Sequence, residues 1–273
     1  MNRLLGLVAG VLNHLLFAVT VYFLFGFLAG WTASPEPVSF GAVACDVALC
    51  LQFAISHSWL LLPHTRTAIG KVLPSAFYGT LFCTATCLSL LLTIACWRPM
   101  TPSLIEFSGS ARIATLTAFY LTWPTLLYSL SLTGLGYQTG FTTWWYWVRR
   151  QKAPFRSFEP RSLYRWFRHP IYLSFAGLLW FSPRVSLDRA ILIGVWTIYI
   201  AIGSTLKDRR LVHYLGDSYR QYQSQVVGYP GVLWGPLGKI AFEPARPALR
   251  LVMEAKDLAP EEVPEVVSLR RAA

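Results

Sequence analysis

The segment Arg168–Tyr172, with the sequence Arg-His-Pro-Ile-Tyr, combines residue types that can bind a small charged ligand. It lies where a basic loop meets an apolar run. Proline suits the first position of a helix, because the N–H that it lacks would be unpaired there. The segment is therefore predicted to begin a helix at Pro170. A helix N-terminus carries partial positive charge and free N–H groups, so Arg168 and His169 at this end are predicted to attract a carboxylate or a phosphate.

A second charged group follows the next apolar run. The runs 170–182 and 187–206 are predicted to form a helical hairpin that turns at Pro183-Arg184. The first run has only about 13 residues, about 20 Å of helix, which is too short to cross a membrane alone. Folding back places residues 207–210, with the sequence Lys-Asp-Arg-Arg, beside the start of the hairpin.

This juxtaposition predicts a site for a ligand that carries both charges. Arg168 and His169 would hold the anion, and Asp208 would hold a cation or ribose hydroxyls. The C-terminal carbonyls of a helix that ends near Leu206 would assist Asp208. S-adenosylmethionine has these groups. Basic residues next to a membrane span also bind lipid phosphate, and that alternative explains the arginines and the lysine equally well.

His57 is the second candidate for chemistry. Asp46, Cys50, Phe53 and His57 follow one another at spacings that place them on one face of a helix. An ionisable residue inside a membrane helix is a functional candidate by default, and a neutral imidazole can accept a proton from a thiol or hydroxyl. The alternative is a histidine that makes a hydrogen bond between helices. Asp46 is expected to be structural.

The composition indicates an integral membrane protein. Of 273 residues, 54% are hydrophobic and only 14% are charged, whereas soluble chains carry about 25% charged residues. The net charge of +11 is expected from Lys and Arg in cytoplasmic loops, and nucleic-acid binding is not expected. The five cysteines lie in apolar runs without a metal-binding spacing, so neither a metal site nor a disulfide framework is predicted.

The predicted fold is an all-α, polytopic membrane protein with about six apolar helices, arranged as five spans or as four spans and a hairpin. Residues 1–245 form the membrane-embedded domain, in which 136–230 are the cofactor-binding half, and 246–273 form a polar tail whose composition is compatible with disorder. The basic loop 136–169 places the cofactor site and both termini in the cytoplasm, at a bacterial inner membrane. The apolar runs are 4–30, 40–62, 74–97, 113–135, 170–182 and 187–206.

The sequence resembles the isoprenylcysteine carboxyl methyltransferase and phospholipid methyltransferase superfamily. The resemblance rests on Arg168–Tyr172, the hairpin and the Gly-x-x-Tyr-x-x-Tyr pattern of 216–222, and extends to residues 46–58, Tyr78 and Trp97-Arg98-Pro99. Within that superfamily the chain is similar to bacterial methanethiol S-methyltransferases. The resemblance covers approximately residues 1–230.

The resemblance implies a membrane enzyme that transfers a methyl group from S-adenosylmethionine to a small thiol or a lipid-like acceptor. It departs at 207–210, where the family has Glu-Glu-Arg-Asp and this chain has a lysine in place of the first acid. A catalytically degraded scaffold or assembly factor on the same fold is therefore the alternative, and a transporter is a more distant one. The resemblance implies a cofactor site at Arg168, His169, Tyr172 and positions 207 and 208. Together with the reasoning from the residues, the predicted catalytic residues are His57 and Arg168. The predicted cofactor-binding residues are Arg168, His169, Pro170, Tyr172, Asp208, Arg209, Tyr219 and Tyr222.

Overall fold

The computed structural model of the protein describes residues 3–31, 33–154 and 158–243. The predicted tail 246–273 lies outside the described residues. Within the described ranges, two 3-10 turns (Ser75–Phe77 and Ser162–Arg165) and four short strands accompany the helices, so the predicted all-α architecture is confirmed. The helices are α1 (Arg3–Leu28), α2 (Phe40–Leu61), α3 (Pro63–Gly70), α4 (Tyr78–Cys96), α5 (Gly109–Thr133), α6 (Leu135–Gln138), α7 (Phe141–Val148), α8 (Pro170–Trp180), α9 (Leu187–Leu215) and α10 (Asp217–Gln225).

Four helical segments within the described residues are long and apolar enough to cross a membrane: α1, α2, α9 and the segment Ser75–Cys96, which contains α4. Helix α5 has 25 residues, but it contains no stretch as apolar as those of the four segments. Helix α8 has 11 residues, about 16 Å, and is too short to span a hydrocarbon core of about 30 Å. The exact number of spans therefore stays a prediction.

The helix starts follow local chemistry. Helix α2 begins at Phe40 because the side chain of Ser39 accepts a hydrogen bond from the N–H of Ala42 at 3.2 Å, the usual arrangement of an N-cap. Helix α8 begins at Pro170, as the Arg-His-Pro pattern predicts. The chain then turns back between Trp180 and Leu187, which gives the predicted hairpin.

The expectation that the last long helix ends near Leu206 is wrong. Helix α9 continues to Leu215, with Asp208 on its buried face and Arg209 on its exposed face, as in an amphipathic helix. Asp208 is therefore inside the helix. The helix C-terminal carbonyls lie at Leu215 instead and do not assist Asp208.

Helix packing in the membrane depends on polar contacts as well as shape. Helix α4 lies against α1 and α2, α9 against α2 and α8, and α5 against α8. Asn13 of α1 is buried and accepts a hydrogen bond from Thr84 of α4 at 2.9 Å. Ser89 of α4 donates to Gln52 of α2 at 3.0 Å. Such contacts replace the hydrophobic driving force that lipid cannot supply between helices.

Helix α7 docks onto α1 and α4 through glycines. The indole N–H of Trp144 donates to the carbonyl of Gly6 at 2.9 Å, and its ring lies where a Cβ at Gly10 would be. Gly140, which precedes α7, has φ +78 and packs directly against the backbone of Gly79 and Thr80. A side chain at Gly140 would be strained and would separate the two segments.

The end of the bundle away from residues 168–169 is fastened by two carboxylates. Asp188 accepts from the indole of Trp97 and from the N–H of Met100, each at 3.0 Å. Asp46 accepts from the N–H of Arg98 at 3.0 Å, which fits its expected structural role. Strand β1 (Glu36–Pro37) pairs in parallel with β2 (Met100–Thr101), and β3 (Ser103–Glu106) pairs antiparallel with β4 (Arg184–Ser186).

Candidate functional site

Arg168 is the centre of a buried polar cluster at the start of α8, which includes His169, Asp208 and Tyr219. Its side chain is fully buried, and its Nε and Nη2 donate to the Oδ2 of Asp208 at 3.1 and 3.0 Å. The remaining donors serve the backbone that follows α10: Nη1 donates to the carbonyls of Val226 and Gly238, both at 2.6 Å, and Nη2 donates to Pro236 at 3.2 Å. The guanidinium thus joins α8, α9 and the C-terminal segment 226–238.

Asp208 is the shared acceptor of this cluster. Its Oδ1 accepts from the hydroxyl of Tyr219 at 2.5 Å, and its Oδ2 accepts from Arg168. The Nε2 of His169 lies 3.3 Å from the same Oδ2. A buried carboxylate is stable only when it is paired and hydrogen-bonded, and here Arg168 and Tyr219 meet that requirement.

His169 is buried and has hydrogen-bonding capacity to spare within the described residues. It is 0% exposed, its Nδ1 has no partner there, and its Nε2 has only the poorly aligned 3.3 Å contact with Asp208. The pKa of His169 is lowered, chiefly because burial removes the imidazolium from water, with Lys207 and Arg168 adding to the effect and Asp208 opposing it. In a neutral imidazole, one nitrogen donates a hydrogen bond and the other accepts one, so His169 can form a hydrogen bond with a ligand.

Tyrosine rings line the rest of the cluster. His169 contacts the rings of Tyr172 and Tyr229, with centroids 5.6 and 5.4 Å away. The hydroxyls of Tyr229 and Tyr164 are buried and make no hydrogen bond of normal geometry within the described ranges. Burial raises the pKa of Tyr229 to about 12 and raises that of Tyr164. Both phenols therefore stay protonated at neutral pH and can donate.

Lys207 places its ammonium between two of these rings. Its Nζ lies 5.8 Å from the ring centroid of Tyr164 and 5.6 Å from that of Tyr172. Within the described residues it forms no ion pair. The hydroxyl of Tyr172 is directed to the carbonyl of Gly203 at 3.5 Å, one turn earlier on α9.

His57 belongs to a neighbouring cluster on the same face of α9. Its Nδ1 lies 2.8 Å from the hydroxyl of Tyr199, to which Ser58 also donates at 3.3 Å. Tyr199, Gly203 and Lys207 follow at intervals of four, so they lie along one face. Tyr199 is about 12 Å from Lys207 along the helix axis. His57 therefore faces the same side of α9 as the tyrosine rings, at a greater depth.

The predicted site residues do not all converge. Pro170 is buried at the start of α8. Tyr222 donates to the carbonyl of Tyr164 and so connects α10 to the turn that carries Tyr164. Arg209 is exposed on α9 and points away from the cluster because it lies one residue, or about 100°, past Asp208. The binding and catalytic roles of all these residues stay predictions.

Sequence reasoning missed three tyrosines and a backbone segment. Tyr164 and Tyr199 carry no signal that separates them from interfacial or packing aromatics. Tyr229 lies in a Gly-Tyr-Pro turn, which predicts a loop but not its fold-back onto His169. The segment 226–238 contributes backbone carbonyls to Arg168, and carbonyl positions have no sequence signature.

A shallow apolar depression of about 450 Å³, largely open to the surroundings, adjoins the cluster. It lies between α9 and the C-terminal segment and shares Pro236 with the Arg168 contacts. Its lining residues are Ala201, Ile202, Thr205, Val232, Trp234, Pro236 and Leu237. The guanidinium of Arg168 therefore binds the polar cluster and also Pro236, a residue that lines the apolar depression.

The cluster fits a ligand with several polar groups. The buried, unpaired nitrogens of His169 and the unpaired hydroxyls of Tyr164 and Tyr229 are an arrangement that native proteins seldom leave without a partner. S-adenosylmethionine, the methyl donor that the resemblance implies, carries carboxylate, ammonium and ribose groups that match them.

Comparisons with known proteins find relatives over most of the chain. The chain is 29% identical over 231 residues to methanethiol S-methyltransferase 1 of Bradyrhizobium diazoefficiens, covering 80% of this chain and 79% of that protein. It is 27% identical over 238 residues to methanethiol S-methyltransferase of a Pseudomonas species, covering 82% and 89%. It is also 26% identical over 191 residues to nurim of Danio rerio, covering 66% and 68%.

No family model matches the chain, and no solved structure matches it. The curated relatives named above nevertheless cover 66–82% of the chain. The resemblance expected from the sequence is thereby confirmed: the chain is a relative of the methanethiol S-methyltransferases and of nurim, which is consistent with the isoprenylcysteine carboxyl methyltransferase-like superfamily.

Proposed function

We propose that the protein is an integral membrane methyltransferase that uses S-adenosylmethionine to methylate a small thiol. Methanethiol, which would give dimethyl sulfide, is the preferred acceptor, and a related lipid-like nucleophile is the broader class. The observation that carries the proposal is the set of buried, unpaired polar atoms around Asp208 in a chain related to named methyltransferases.

The residues of the cluster divide into two roles. His169, Tyr229 and Tyr164 have buried polar atoms without a hydrogen bond of normal geometry in the described residues and would contact the methyl donor. Arg168 has all its donors directed to protein atoms, so it is a positioning residue that fixes Asp208 and the segment 226–238. The donor, when bound, supplies an electrophilic methyl group on a sulfonium.

His57 is proposed to hold the proton that the thiol loses. In the tautomer with its proton on Nδ1, the imidazole donates to Tyr199 and leaves Nε2 free to accept. The hydrogen bond at 2.8 Å fixes the ring, and its stacking on Phe53, with centroids 5.5 Å apart, restricts rotation. A general base positioned in this way typically contributes 10²–10⁴-fold in rate.

Cofactor binding and product formation test the proposal together. Purified protein in detergent is titrated with S-adenosylmethionine by calorimetry, and dimethyl sulfide is measured in the headspace of cells given methanethiol. We expect His169→Ala to lose binding, and His57→Gln to retain binding but lose turnover at least about a hundredfold. Asp217→Asn, a surface carboxylate on the same side, is the matched control. Absence of binding at millimolar cofactor would refute the proposal.

A catalytically degraded scaffold on the same fold is the second candidate. Lys207 favours it, since its ammonium lies where a cationic donor would be repelled, and one of the relatives, nurim, has a name that states no activity. Lys207→Glu discriminates between the two. If that change creates methyl transfer that the parent lacks, the natural protein is the scaffold.

A further inference from the structure

Two tyrosine rings and one lysine form a unit whose ring faces and ammonium have no role in the proposed function, which assigns only the hydroxyl of Tyr164 to the methyl donor. Tyr164 comes from the 3-10 turn before α8, Tyr172 comes from α8, and Lys207 comes from α9. The Nζ of Lys207 is within 6 Å of both ring centroids, which is the range of a cation–π interaction. Three separate segments therefore converge on one positive charge.

The neighbouring carboxylate does not neutralise this charge. Asp208 directs Oδ2 to Arg168 and Oδ1 to Tyr219, and within the described residues Lys207 makes no ion pair. The ammonium is instead stabilised by the faces of the two rings, whose quadrupoles attract any cation of similar size. The ring pair is thus a cation subsite that the protein fills with its own side chain.

We propose that Tyr164 and Tyr172 form the subsite for a cationic ligand group and that Lys207 occupies it as an internal competitor. With the proposed function as its basis, this means that the natural protein prefers the uncharged thioether S-adenosylhomocysteine to the sulfonium S-adenosylmethionine. Lys207 is then the residue that determines the affinity ratio of product to donor. The ligand's carboxylate, which both molecules carry, is attracted by the same ammonium.

Calorimetry with the two ligands tests the proposal, because they differ only in the methyl group and the sulfonium charge. We expect Lys207→Gln and Lys207→Met to shift the ratio of dissociation constants toward S-adenosylmethionine by at least about tenfold, since the ammonium and a sulfonium would compete for the same ring faces and would repel each other there. Lys207→Arg keeps the charge and should retain the natural ratio. Lys71→Gln, an exposed lysine, is the matched control.

The outcomes separate this proposal from the proposed function. If both ligands bind and Lys207→Gln and Lys207→Met leave the ratio unchanged, the internal competitor is refuted and the methyltransferase stands. If neither ligand binds any variant, the proposed function is refuted. Tetramethylammonium then decides the subsite: saturable shifts of tyrosine ring resonances in Lys207→Met and not in the natural protein support it, and none in either overturns it.

Discussion

Replacing Arg168 by methionine is the most severe single change that the structure predicts in the polar cluster at the start of α8. The substitution keeps most of the side-chain volume but removes the guanidinium. Asp208 then stays buried with Tyr219 as its remaining hydrogen-bond donor, and the carbonyls of Val226, Pro236 and Gly238 lose theirs. Breaking a buried ion pair by removing one partner costs about 3–5 kcal/mol, because the other charge is left uncompensated.

The expected loss appears in both global and local stability. For a chain of this size, 1 kcal/mol corresponds to about 2–4 °C in Tm, so Arg168→Met in detergent should melt at least about 6 °C below the natural protein. Hydrogen exchange should accelerate at the amides that fold the C-terminal segment, namely those of Tyr229, Gly235 and Ile240, which donate to Leu237, Lys239 and Gln223.

Two further variants test the stated cause. The double variant Arg168→Met/Asp208→Asn removes the uncompensated charge and should recover about 2 kcal/mol of the loss. Arg209→Met removes an exposed arginine of α9 and should change stability by less than about 0.5 kcal/mol. A melting temperature of Arg168→Met within 2 °C of the natural protein, with unchanged exchange in the C-terminal segment, would refute the role assigned to the guanidinium.

The remaining predictions concern the histidine, one glycine and the hydroxyl beside His57. Burial lowers the pKa of His169, so the unfolded chain takes up a proton below about pH 6.5 while the folded chain does not. The free energy of unfolding should therefore fall as the pH drops below about 6.5. In His169→Gln, the melting temperature should depend less steeply on pH over this range. Gly140→Ala should destabilise the protein by about 2 kcal/mol or more, because φ is +78 and the Cβ meets backbone atoms; Gly41→Ala, with open space around it, should leave the melting temperature unchanged. Tyr199→Phe should lower methyl transfer and leave cofactor affinity unchanged in calorimetry, and a loss of affinity instead would contradict the assignment of His57 to the acceptor side.

The helix starts could be predicted because each depends on local chemistry. Ser39 caps α2 and Pro170 opens α8 within one or two residues of the sequence positions that define them. Hydropathy located the long helices for a related reason, since each span must satisfy its backbone internally. Neither the helix starts nor the positions of the long helices depend on tertiary contacts.

The end of α9 and the hydrogen-bond partners of Arg168 could not be predicted from the sequence, and both depend on tertiary contacts. Polar residues after an apolar run are typical of a loop. Residues 207–210 nevertheless continue the helix, and Asp208 is buried there because Arg168 and Tyr219 donate hydrogen bonds to it. Arg168 was expected to face a ligand because its side chain is charged. Its acceptors prove to be Asp208 and the backbone of a segment about 60–70 residues later, and no pattern of side chains records where carbonyls converge.

The charges of the cluster lead to a different division of labour from the one that the sequence suggests. Arg168 and Asp208 neutralise each other, and a neutral His169 adds no charge, so the positive charge that faces the tyrosine rings belongs to Lys207. A ligand carboxylate would therefore be drawn to Lys207 rather than to Arg168, while a sulfonium would have to lie away from it. Lys207, which departs from the family pattern, thus favours the carboxylate of the proposed donor and disfavours its sulfonium. The ratio of the affinities for S-adenosylmethionine and S-adenosylhomocysteine measures that balance directly.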